Sequence, residues 1–561
     1  MAKGSTICLN MIVRNESRII RELFDSIVPF ITTWVIVDTG SDDGTQDVIR
    51  DYFAERGIPG VLHERPWRNF GANRTEAMEL AQGCADYIWV MDADDFLVGA
   101  PDLTNMNADS YKVTIKHADL VHQRKQVFRS GLPWRWVGVV HEYSDCGQPV
   151  TEELLPGDFW IQARTQGARS QDPEKYLRDA ELLLAEVHRN PGDYRSVFYL
   201  AQSYRDYGDL RSARQWYKRR AEMGGWVEEV FYSLLRVAEC MSGLGEPWPM
   251  VQDAYLKAWA YRPTRAEPLC AIATHYRSGR EWQLGYLFAK LAVQIPLPAD
   301  ILFVRGRIYN ITARDELAVC ASWLGKHEEA FAACQYLLAR DDLDDTTRQR
   351  IVTNRDFAVQ AMLDAGNAYP QALARSLTAG RSDADVTVTL IAGRGRAQTE
   401  CTLNSFLNYC TDIDRVGRFL VIDTGLSTTD REWLCDRYPF LEFRDDDGTA
   451  LSAIRNIVQS RFWLHLDQGW QFFAPEPFLG RLTAIFDAEP TVYQVGVNFN
   501  DATEPNNQSA PQSVVRSHPD TGRYTLTTTP ATGPAMYETT RNTASHTTAA
   551  LAEITTTKQP H

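Results

Sequence analysis

The sequence lacks the features that mark exported, membrane-spanning or thiolate-metal proteins. None of its apolar runs reaches about 18 residues, so we expect no membrane span. The start, MAKGSTICLNMIVRNE, has polar residues where an export signal would have an uninterrupted apolar stretch. Its ten cysteines are scattered and form no C-x-x-C pair. This favours reduced thiols in a cytoplasm over a disulfide frame or a zinc site.

Positive charge is also scarce. Lysine and arginine number 58 against 73 aspartates and glutamates, which gives a formal net charge of −15. This balance argues against blanket binding to nucleic acid, but it leaves room for a local basic groove. The 561 residues are too many for one hydrophobic core, and we expect about two to four domains.

Strand-like and helix-like stretches alternate over residues 6–98. The apolar runs TICLNMIV, TWVIVD, VLHE and YIWVMD are separated by amphipathic helical patterns. This alternation predicts an α/β domain with a parallel sheet and covering helices. Asp38 and Asp92 follow the second and fourth runs. We therefore expect both at the carboxyl edge of the sheet, where open α/β sheets bind ligands.

Residues 172–365 have a helical pattern throughout. Small and aromatic residues stand where tetratricopeptide repeats place them, at Ala201, Tyr204, Gly208, Ala213 and Tyr217 and again at Ala321, Gly325, Ala330 and Ala333. A generic helical bundle is the alternative. Strand and helix alternation returns from about residue 384. The last 40 residues are rich in Thr and Ser, and we expect a mobile tail that builds no core.

The triplet D-T-G occurs twice, in WVIVDTGSDDGT (34–45) and FLVIDTGLSTTD (419–430). Two such triplets suggest an aspartic protease, in which a pair of carboxylates shares one proton. Proteases of that class are nearly all strand, whereas helical patterns flank both copies here. We therefore interpret D-T-G as a strand-end turn used twice, and not as an Asp38–Asp423 dyad.

An ordered set of motifs accompanies Asp38: MIVRNE on the first strand, VDTGSDDGT, FGANRTEAME and YIWVMDADDF. In this order the set resembles family 2 glycosyltransferases with the GT-A fold. The adjoining helices resemble a subgroup that joins such a domain to tetratricopeptide repeats. The resemblance implies an inverting transfer of a sugar from a nucleoside-diphosphate sugar, expected to be UDP-linked. The acceptor would be a macromolecule, with protein favoured over DNA.

The acidic cluster DADD (92–95) points to a divalent cation on chemical grounds. Sugar transfer leaves growing negative charge on two phosphates, which a cation stabilises. Mn²⁺ or Mg²⁺ takes hard oxygen ligands, and alternate residues of an extended segment share a face. By resemblance, Asp94 holds the metal, Asp92 reaches the ribose or the metal, Ala93 lies against the nucleotide, and Asp95 orients the sugar or acceptor in catalysis. An acidic turn after a buried strand is the alternative.

The resemblance also assigns residues outside this cluster. Asp38 would accept a hydrogen bond from the uracil edge. The nucleotide would be lined from the end of the first strand by Arg14, Asn15 and Glu16. Asp42 would bind the nucleotide or, equally, cap a helix. Arg74 would meet the diphosphate or, equally, be a surface arginine.

The segment WRWVGVVHEYSD (134–145) resembles the family segment that ends in His-Glu. By this resemblance, His141 would complete the metal shell with a neutral nitrogen. Glu142 would act as the general base that deprotonates the attacking acceptor. A partly buried strand with a structural histidine is the alternative. In the family, the usual base lies in a less well-defined motif than this His-Glu segment.

The region after residue 384 aligns on the first domain. Asp423 falls under Asp38, Arg455 under Arg74 and Asp467 under Asp92. The acidic positions are lost: Gly469 stands for Asp94, Trp470 for Asp95 and, roughly, Arg396 for Glu16. We therefore predict a second GT-A-like domain that holds no catalytic metal. A coincidental likeness of two α/β domains is the alternative.

Four segments follow from these patterns: a GT-A domain at 1–168, tetratricopeptide-like repeats at 170–368, a degenerate GT-A-like domain at 384–545 and a Thr-rich tail at 546–561. Besides the cytoplasmic, metal-dependent glycosyltransferase, two functions stay open. One is transfer to modified nucleic-acid bases, since RSARQWYKRR (211–220) carries five basic residues and no acid. The other is a non-catalytic repeat scaffold with degenerate GT-A domains.

Overall fold

A computed structural model describes residues 4–117, 120–164, 166–340, 342–364, 368–377, 384–393, 395–445, 454–455, 457–497, 514–518, 520–528, 530–531, 533–541, 547–551 and 556–558. The chain divides into two compact units. The first comprises residues 1–262 with 300–303, and the second comprises 263–299 with 304–561. Each unit therefore contains one sheet and part of the helical region.

The first unit begins with alternating strands and helices. In chain order these are β1 (Ile7–Val13), α1 (Ile20–Ile27), β2 (Thr33–Asp38), α2 (Thr45–Arg56), β3 (Gly60–Glu64), α3 (Phe70–Ala81), β4 (Tyr87–Val90), β5 (Phe96–Pro101), β6 (Ser110–His117), β7 (Leu120–Arg129), β8 (Arg135–Val137), β9 (Tyr143–Asp145), β10 (Glu152–Leu154) and β11 (Gly157–Gln162). The main sheet has the order β3-β2-β1-β4-β7-β6-β11-β5, with β10 paired to β6.

The sequence predicted a purely parallel sheet, but this first sheet is mixed. The four strands recognised in the sequence, β1 to β4, do run parallel. Next to β4, however, β7 runs antiparallel, as it also does beside β6. The predicted α/β class is confirmed. The parallel order brings the ends of β1, β2 and β4 to one edge of the sheet, as expected for Asp38 and Asp92.

Burial on both faces explains why the strands read as apolar runs. On β1, Ile7 and Leu9 pack into one core cluster and Cys8 packs into another. Asn10 is the one polar residue of that strand, and its side-chain amide donates to the carbonyls of Val35 and Ala77 at 3.0 and 2.9 Å. A sheet covered on both faces needs such near-continuous apolar strands.

The first unit continues with helices α4 (Lys175–Arg189), α5 (Tyr194–Tyr207), α6 (Leu210–Glu222), α7 (Val227–Gly243) and α8 (Trp248–Tyr261). Each packs on the next. Ala201, Ala213 and Tyr217 are fully buried between them, as the repeat pattern predicts. Gly208 ends α5 in a left-handed conformation, with φ of 98°.

The second unit carries the remaining elements. They are α9 (Glu267–Ser278), α10 (Trp282–Val293), α11 (Ala313–Trp323), α12 (His327–Leu338), α13 (Asp345–Asp364), α14 (Gln371–Ser376), β12 (Val386–Ala392), α15 (Arg396–Tyr409), β13 (Val416–Asp423), α16 (Thr428–Arg437), β14 (Leu441–Asp445), β15 (Phe462–Leu466), β16 (Trp470–Phe472), α17 (Phe478–Ala488), β17 (Val492–Gly496), β18 (Val514–His518), β19 (Gly522–Thr527), β20 (Ala535–Glu538), β21 (Thr547–Leu551) and β22 (Thr556–Lys558). Helices α9 to α13 again pack consecutively, with Ala321 and Ala330 buried. The predicted all-α central region is confirmed.

The second sheet has the order β14-β13-β12-β15-β20-β17-β21-β19-β18. Its first four strands match β3-β2-β1-β4 in order and direction. The register matches as well, because Ala392 pairs with Asp423 as Val13 pairs with Asp38. The predicted second α/β domain is confirmed, and its shared strand order and register favour a GT-A-like copy over a coincidental likeness.

The expectation of a mobile, coreless tail is wrong for the described part of the Thr-rich end. Strand β21 lies between β17 and β19, and Ala549, Ala550 and Leu551 are buried. Threonine is β-branched and favours strands, so Thr-rich sequence suits a sheet that small apolar residues anchor.

Two further predictions from the sequence concern membrane-spanning helices and the state of the cysteines. No helix within the described ranges is long and apolar enough to cross a membrane. All ten cysteines lie in the described part, and all are free thiols.

Candidate active site

The first D-T-G forms a turn at the end of β2. Asp38 is buried, and its Oδ1 accepts hydrogen bonds from the amides of Gly40 and Ser41, both at 2.9 Å, and from Gln46 at 3.1 Å. Thr39 binds the carbonyl of Val13 through its amide and its hydroxyl. Asp38 Oδ2 is buried and has no hydrogen-bond partner among the described residues. The turn therefore fixes a carboxylate whose second oxygen remains available to accept a hydrogen bond.

The second D-T-G makes the same turn. Asp423 Oδ1 accepts from the amides of Gly425 and Leu426 at 3.0 and 2.8 Å. Thr424 binds the carbonyl of Ala392 through its amide and hydroxyl. The other oxygen, Oδ2, lies 3.5 Å from Arg431. Each carboxylate therefore organises its own strand-end turn, as predicted.

Arg74 links two of the predicted acidic residues. It is buried on α3, pairs with Asp92 through Nη2, and lies 2.7 Å from Glu142 Oε1 through Nε. Burial alone would raise the pKa of Asp92, but Arg74 and then Arg124 outweigh it and hold that pKa well below its usual range. The surface-arginine alternative for Arg74 is wrong.

Glu16 and Asp94 form a second acidic group. Among the described residues neither carboxylate forms an ion pair, although Arg164 lies close enough to Asp94 to lower its pKa. Asp94 Oδ2 accepts from the amide of Gly167 at 3.2 Å, and Glu16 accepts from the amide of Ala168 at 3.3 Å. A methyl group on Gly167 would lie 3.2 Å from Asp94 Oδ2 and 3.3 Å from Glu16 Oε1. Both oxygens therefore lie close to one point.

Negative charge is in excess in this group. Burial, with help from the carboxylates of Asp94, Asp43 and Asp92, raises the pKa of Glu16 to about 7. Burial and Asp92 also raise the pKa of Asp94. The same two causes raise the pKa of Asp95 to about 7, and Asp95 is almost fully buried beside Asp92. A cation at this place would relieve the repulsion.

The structure does not gather the predicted ligands Asp92, Asp94 and His141 into one group. Within the described residues, no three His, Cys, Asp or Glu side chains form a group that could hold a metal. Asp92 is bound to Arg74, and the His141 ring stacks on Tyr199 at 4.1 Å with a 19° angle. Although His141 keeps exposed surface, desolvation of its ring lowers its pKa. Metal binding stays a prediction, and Asp94 with Glu16 fits it best.

The other predicted nucleotide residues have different surroundings. Asn15 has φ of 58°. Its backbone amide donates to Ser41 Oγ, and its side-chain Oδ1 accepts from the backbone amide of Asp42, both at 2.9 Å. Asn15 therefore braces the Asp38 turn. The side chain that binds the start of α2 is that of Asp43, through the Thr45 amide at 3.0 Å, and so the helix-cap alternative for Asp42 is wrong.

Two further predicted residues frame the same edge. Arg14 is exposed at the end of β1, and Ala93 is buried between the acidic residues of DADD. Neither position conflicts with a nucleotide role, which stays a prediction for both.

The second copy has replaced this chemistry with local packing. Gln468, beside Asp467, accepts from the amide of Gly393 at 3.0 Å and donates to Gly395 at 3.2 Å. Gly469 offers no side chain, and Trp470 is buried as one of the core residues.

The arginine of the second copy has also changed partners. Arg455 binds the backbone carbonyls of Thr539 and Arg541, where Arg74 binds two carboxylates. Much of the segment aligned with α3 lies outside the described residues.

Sequence reasoning missed several residues of the first site. Arg124 on β7 lies 3.5 Å from Asp92 Oδ2. Gly167 and Ala168 reach the acidic group only through backbone amides. Arg164 pairs with Glu22 at 2.5 Å and donates to the carbonyl of Asp94 at 3.3 Å. None of these stands in a motif, so the pattern of the sequence carried no signal for them.

Comparison with known proteins gives one family match. Residues 8–103 match the family described as "Glycosyl transferase family 2". A search of curated proteins found no match.

Several solved structures resemble part of the chain. A tetratricopeptide repeat protein from Parabacteroides merdae ATCC 43184 is 16% identical, with 34% of this chain and 72% of that chain covered and a TM-score of 0.25. YrrB, "a TPR protein with an unusual peptide-binding site", is 16% identical over 33% and 90%, with a TM-score of 0.24. MamA from Desulfovibrio magneticus RS-1 is 9% identical over 32% and 86%, with a TM-score of 0.23. Likeness at this level says nothing about what this chain binds.

The family match spans β1 to β5 and contains both the Asp38 turn and the DADD cluster. Residues 8–103 therefore form a glycosyl transferase family 2 domain.

Proposed function

We propose that the chain is a metal-dependent glycosyltransferase that moves a sugar, with inversion, from a UDP-sugar to a macromolecular acceptor. One observation carries the proposal: at the carboxyl edge of the parallel strands, Glu16 and Asp94 crowd negative charge, and among the described residues neither carboxylate forms an ion pair. An open α/β sheet binds its ligand at this edge. A cation with a diphosphate on it suits such a place, because carboxylates and phosphates share the cation's coordination sphere.

The Asp38 turn supports a uracil base. Its Oδ1 is fixed by backbone amides, and its buried Oδ2 accepts no hydrogen bond from the part of the chain that the structure describes. An ionised carboxylate only accepts hydrogen bonds, and uracil offers one ring N–H at its edge. A buried acceptor that is left unpaired is costly, so a bound base would satisfy it.

Asp94 and Glu16 would hold Mn²⁺ or Mg²⁺, which supplies the Lewis acid that stabilises the leaving diphosphate. Asp92 would reach the ribose, or orient Arg74 toward the diphosphate. Arg74 is always charged and is held in place by two carboxylates, so it is organised before the donor arrives.

Glu142 is the proposed general base. The acceptor hydroxyl loses its proton to Glu142 while its oxygen bonds to the anomeric carbon, and the bond from that carbon to the diphosphate breaks. Asp95 is buried beside Asp92 and would orient the sugar. The Arg74 contact fixes the direction of the Glu142 carboxylate.

The contacts made by the basic segment of α6 (residues 211–220) argue against a nucleic-acid acceptor and therefore favour a protein acceptor. Arg214 pairs with Glu246, and Arg220 is buried against Glu229. Tyr217 is fully buried and offers no face on which a base could stack. The remaining exposed cations of that segment are Arg211, Lys218 and Arg219. Three cations without a free tyrosine make a weaker nucleic-acid surface than the sequence suggested.

We further propose that the domain predicted at 384–545 is catalytically inactive. Its retained strand order beside the changed residues Gln468 and Gly469 supports a structural or acceptor-binding role. The predicted boundaries at 1–168 and 170–368 and a cytoplasmic location are part of the same proposal.

Thermal unfolding tests the proposed function. Mn²⁺ with a UDP-sugar raises the melting temperature of the wild-type chain, and EDTA removes that rise, because ligands that bind the native state stabilise it. Asp94→Ala abolishes the rise and the transfer reaction but leaves the unliganded melting temperature close to the wild-type value. A wild-type chain that no nucleotide sugar stabilises favours the repeat scaffold.

A further inference from the structure

The turn that carries Glu142 is held in an unusual backbone conformation. His141 has φ of 53° and Gly138 has φ of 108°. Left-handed backbone is unfavourable for a residue with a Cβ atom, and it persists only where the surroundings enforce it. His141 immediately precedes Glu142. Contacts that hold His141 therefore also place the backbone of Glu142, from which its carboxylate reaches Arg74.

One side of this turn rests on α3. A methyl group on Gly71 would lie 2.2 Å from the Gly138 carbonyl oxygen, so the two backbones are in close contact. The amide of Phe70 donates to the Val139 carbonyl at 3.2 Å. Arg74 lies one turn further along α3, and its Nε is 2.7 Å from Glu142 Oε1. These contacts hold the turn at Gly138 and Val139, before His141.

The other side rests on the first helices of the repeat region. Val139 and Val140 are buried in one cluster with Leu183 of α4 and Val197 and Leu200 of α5. The sheet domain and these helices thus share a core within the first unit.

Two side chains of α5 hold His141 directly. Arg195 donates from Nη2 to the His141 carbonyl at 3.0 Å. Tyr199, one turn later, stacks on the His141 ring at 4.1 Å. The Arg195 guanidinium also lies 4.9 Å from the centre of the Tyr199 ring and 5.1 Å from that of Tyr143. Backbone and side chain of the strained residue are therefore both bound by one helix.

We propose that α5 positions Glu142 for catalysis, with Arg195 and Tyr199 as positioning residues that act through His141. The proposal rests on the function proposed above, in which Glu142 takes the acceptor's proton. It gives the repeat region a part in the chemistry: its first hairpin completes the active site. Neither residue touches the nucleotide residues Asp38 and Asp94, so donor binding stays intact when they are changed.

The first experiment measures transfer kinetics and donor binding in full-length variants. Tyr199→Leu removes the stacked ring, and Tyr199→Phe keeps it. Arg195→Ala removes the donor to His141, and Arg195→Lys keeps a charged donor. We expect kcat to fall about 10–100-fold for Tyr199→Leu and Arg195→Ala, as for a small misplacement of a catalytic group. The KM for the donor and the affinity for Mn²⁺ and UDP stay at wild-type values. The conservative variants Tyr199→Phe and Arg195→Lys keep most of the wild-type kcat.

Tyr207→Leu is the matched control. Tyr207 lies on the same helix, about 12 Å along its axis from Tyr199, and is 45% exposed. This variant keeps wild-type kinetics. A kcat unchanged in Tyr199→Leu and Arg195→Ala overturns the inference, as does an equal loss in Tyr207→Leu.

A second experiment does not depend on activity. His141→Gly removes the imidazole ring on which Tyr199 stacks, while glycine adopts the left-handed backbone freely and keeps the carbonyl to which Arg195 donates. We expect Tyr199→Leu to lower the melting temperature clearly in the wild-type background and by less than half as much in the His141→Gly background, where its partner ring is absent. Equal losses in both backgrounds overturn the inference whatever the activity. If the wild-type chain transfers no sugar, the proposed function fails, and these melting temperatures alone decide whether α5 holds the turn.

Discussion

Replacement of Arg74 by glutamine tests the arrangement of the candidate site. Arg74 is 7% exposed at its side chain and stands between Glu142, at 10%, and Asp92, at 32%. Arg74→Gln leaves Glu142 without its cation and leaves Asp92 with only the longer contact to Arg124. Breaking a buried pair from one side costs about 3–5 kcal/mol, and the partly exposed Asp92 argues for the lower end. A loss of about 3 kcal/mol lowers the melting temperature by roughly 6–12 °C in a unit of this size.

The effect of Arg74→Gln depends on pH in a direction fixed by the carboxylates. Arg74 holds the pKa of Asp92 below its usual range, so the pair stabilises the fold above the pKa of unfolded Asp92. That contribution fades as the pH falls through the folded pKa. In the variant, a buried and unpaired carboxylate is least costly when it is protonated. The difference in melting temperature between wild type and Arg74→Gln is therefore larger at pH 7.5 than at pH 4.5.

Arg124→Gln is the matched control for this measurement. Arg124 contacts the same carboxylate of Asp92, but at 3.5 Å and with 37% of its side chain exposed. Such a pair contributes about 0–1 kcal/mol, so the variant melts within roughly 4 °C of the wild type. Differential scanning calorimetry at both pH values makes the comparison. Equal, small shifts for Arg74→Gln and Arg124→Gln, or a gap that does not narrow at pH 4.5, would refute the buried pairing.

Three further predictions concern the ligands and the second domain. Asp38→Asn weakens UDP binding by about 10–100-fold by calorimetry, because hydrogen bonds to charged groups contribute about 1.5–3 kcal/mol and the amide offers N–H where uracil needs an acceptor. Replacing Arg211, Lys218 and Arg219 together by serine leaves transfer to a protein acceptor unchanged in an activity assay; a DNA affinity that falls with a shallower salt dependence would instead favour nucleic acid. Asp467→Ala changes neither turnover nor Mn²⁺ stoichiometry, and a lost metal equivalent in that variant would show an active second site.

The architecture was largely predictable because the strands are buried on both faces. A strand such as β1 must then be almost continuously apolar, and that pattern survives in the sequence. The repeated register of Val13–Asp38 and Ala392–Asp423 follows from two equivalent runs that each end in the same turn. Strand β7 was not predictable as the antiparallel neighbour of β4, because its residues alternate and carry no mark of their partner.

The residues at the candidate site were easier to predict than their partners. A motif gives the residue types that end a strand, but not which charges meet. Asp92 was expected at a metal or ribose and is bound by Arg74, 18 positions away in the chain. His141 was expected at the metal and stacks on Tyr199 of the helical region. Such pairings are decided by tertiary packing, which no local pattern records.

The Thr-rich end shows how composition misleads. Few large apolar residues suggested a chain that cannot form a core. In the structure, β21 needs only Ala549, Ala550 and Leu551 to fill its place, because β17 and β19 flank it. A central strand between existing neighbours can be anchored by small side chains.

The central claim is that Glu16 and Asp94 hold a cation on which a UDP-sugar binds. Isothermal titration of UDP into the full-length chain with Mn²⁺, at pH 6.5 and pH 8, tests it most directly. Burial and the neighbouring carboxylates raise the pKa of Glu16 to about 7, so a proton competes with the metal below that pH. We predict that UDP binds only with Mn²⁺, that binding strengthens from pH 6.5 to pH 8, and that Asp94→Asn abolishes binding while Glu16→Gln weakens it and removes much of the pH dependence. UDP binding that is equally tight in EDTA, or unchanged in Asp94→Asn, would contradict the account.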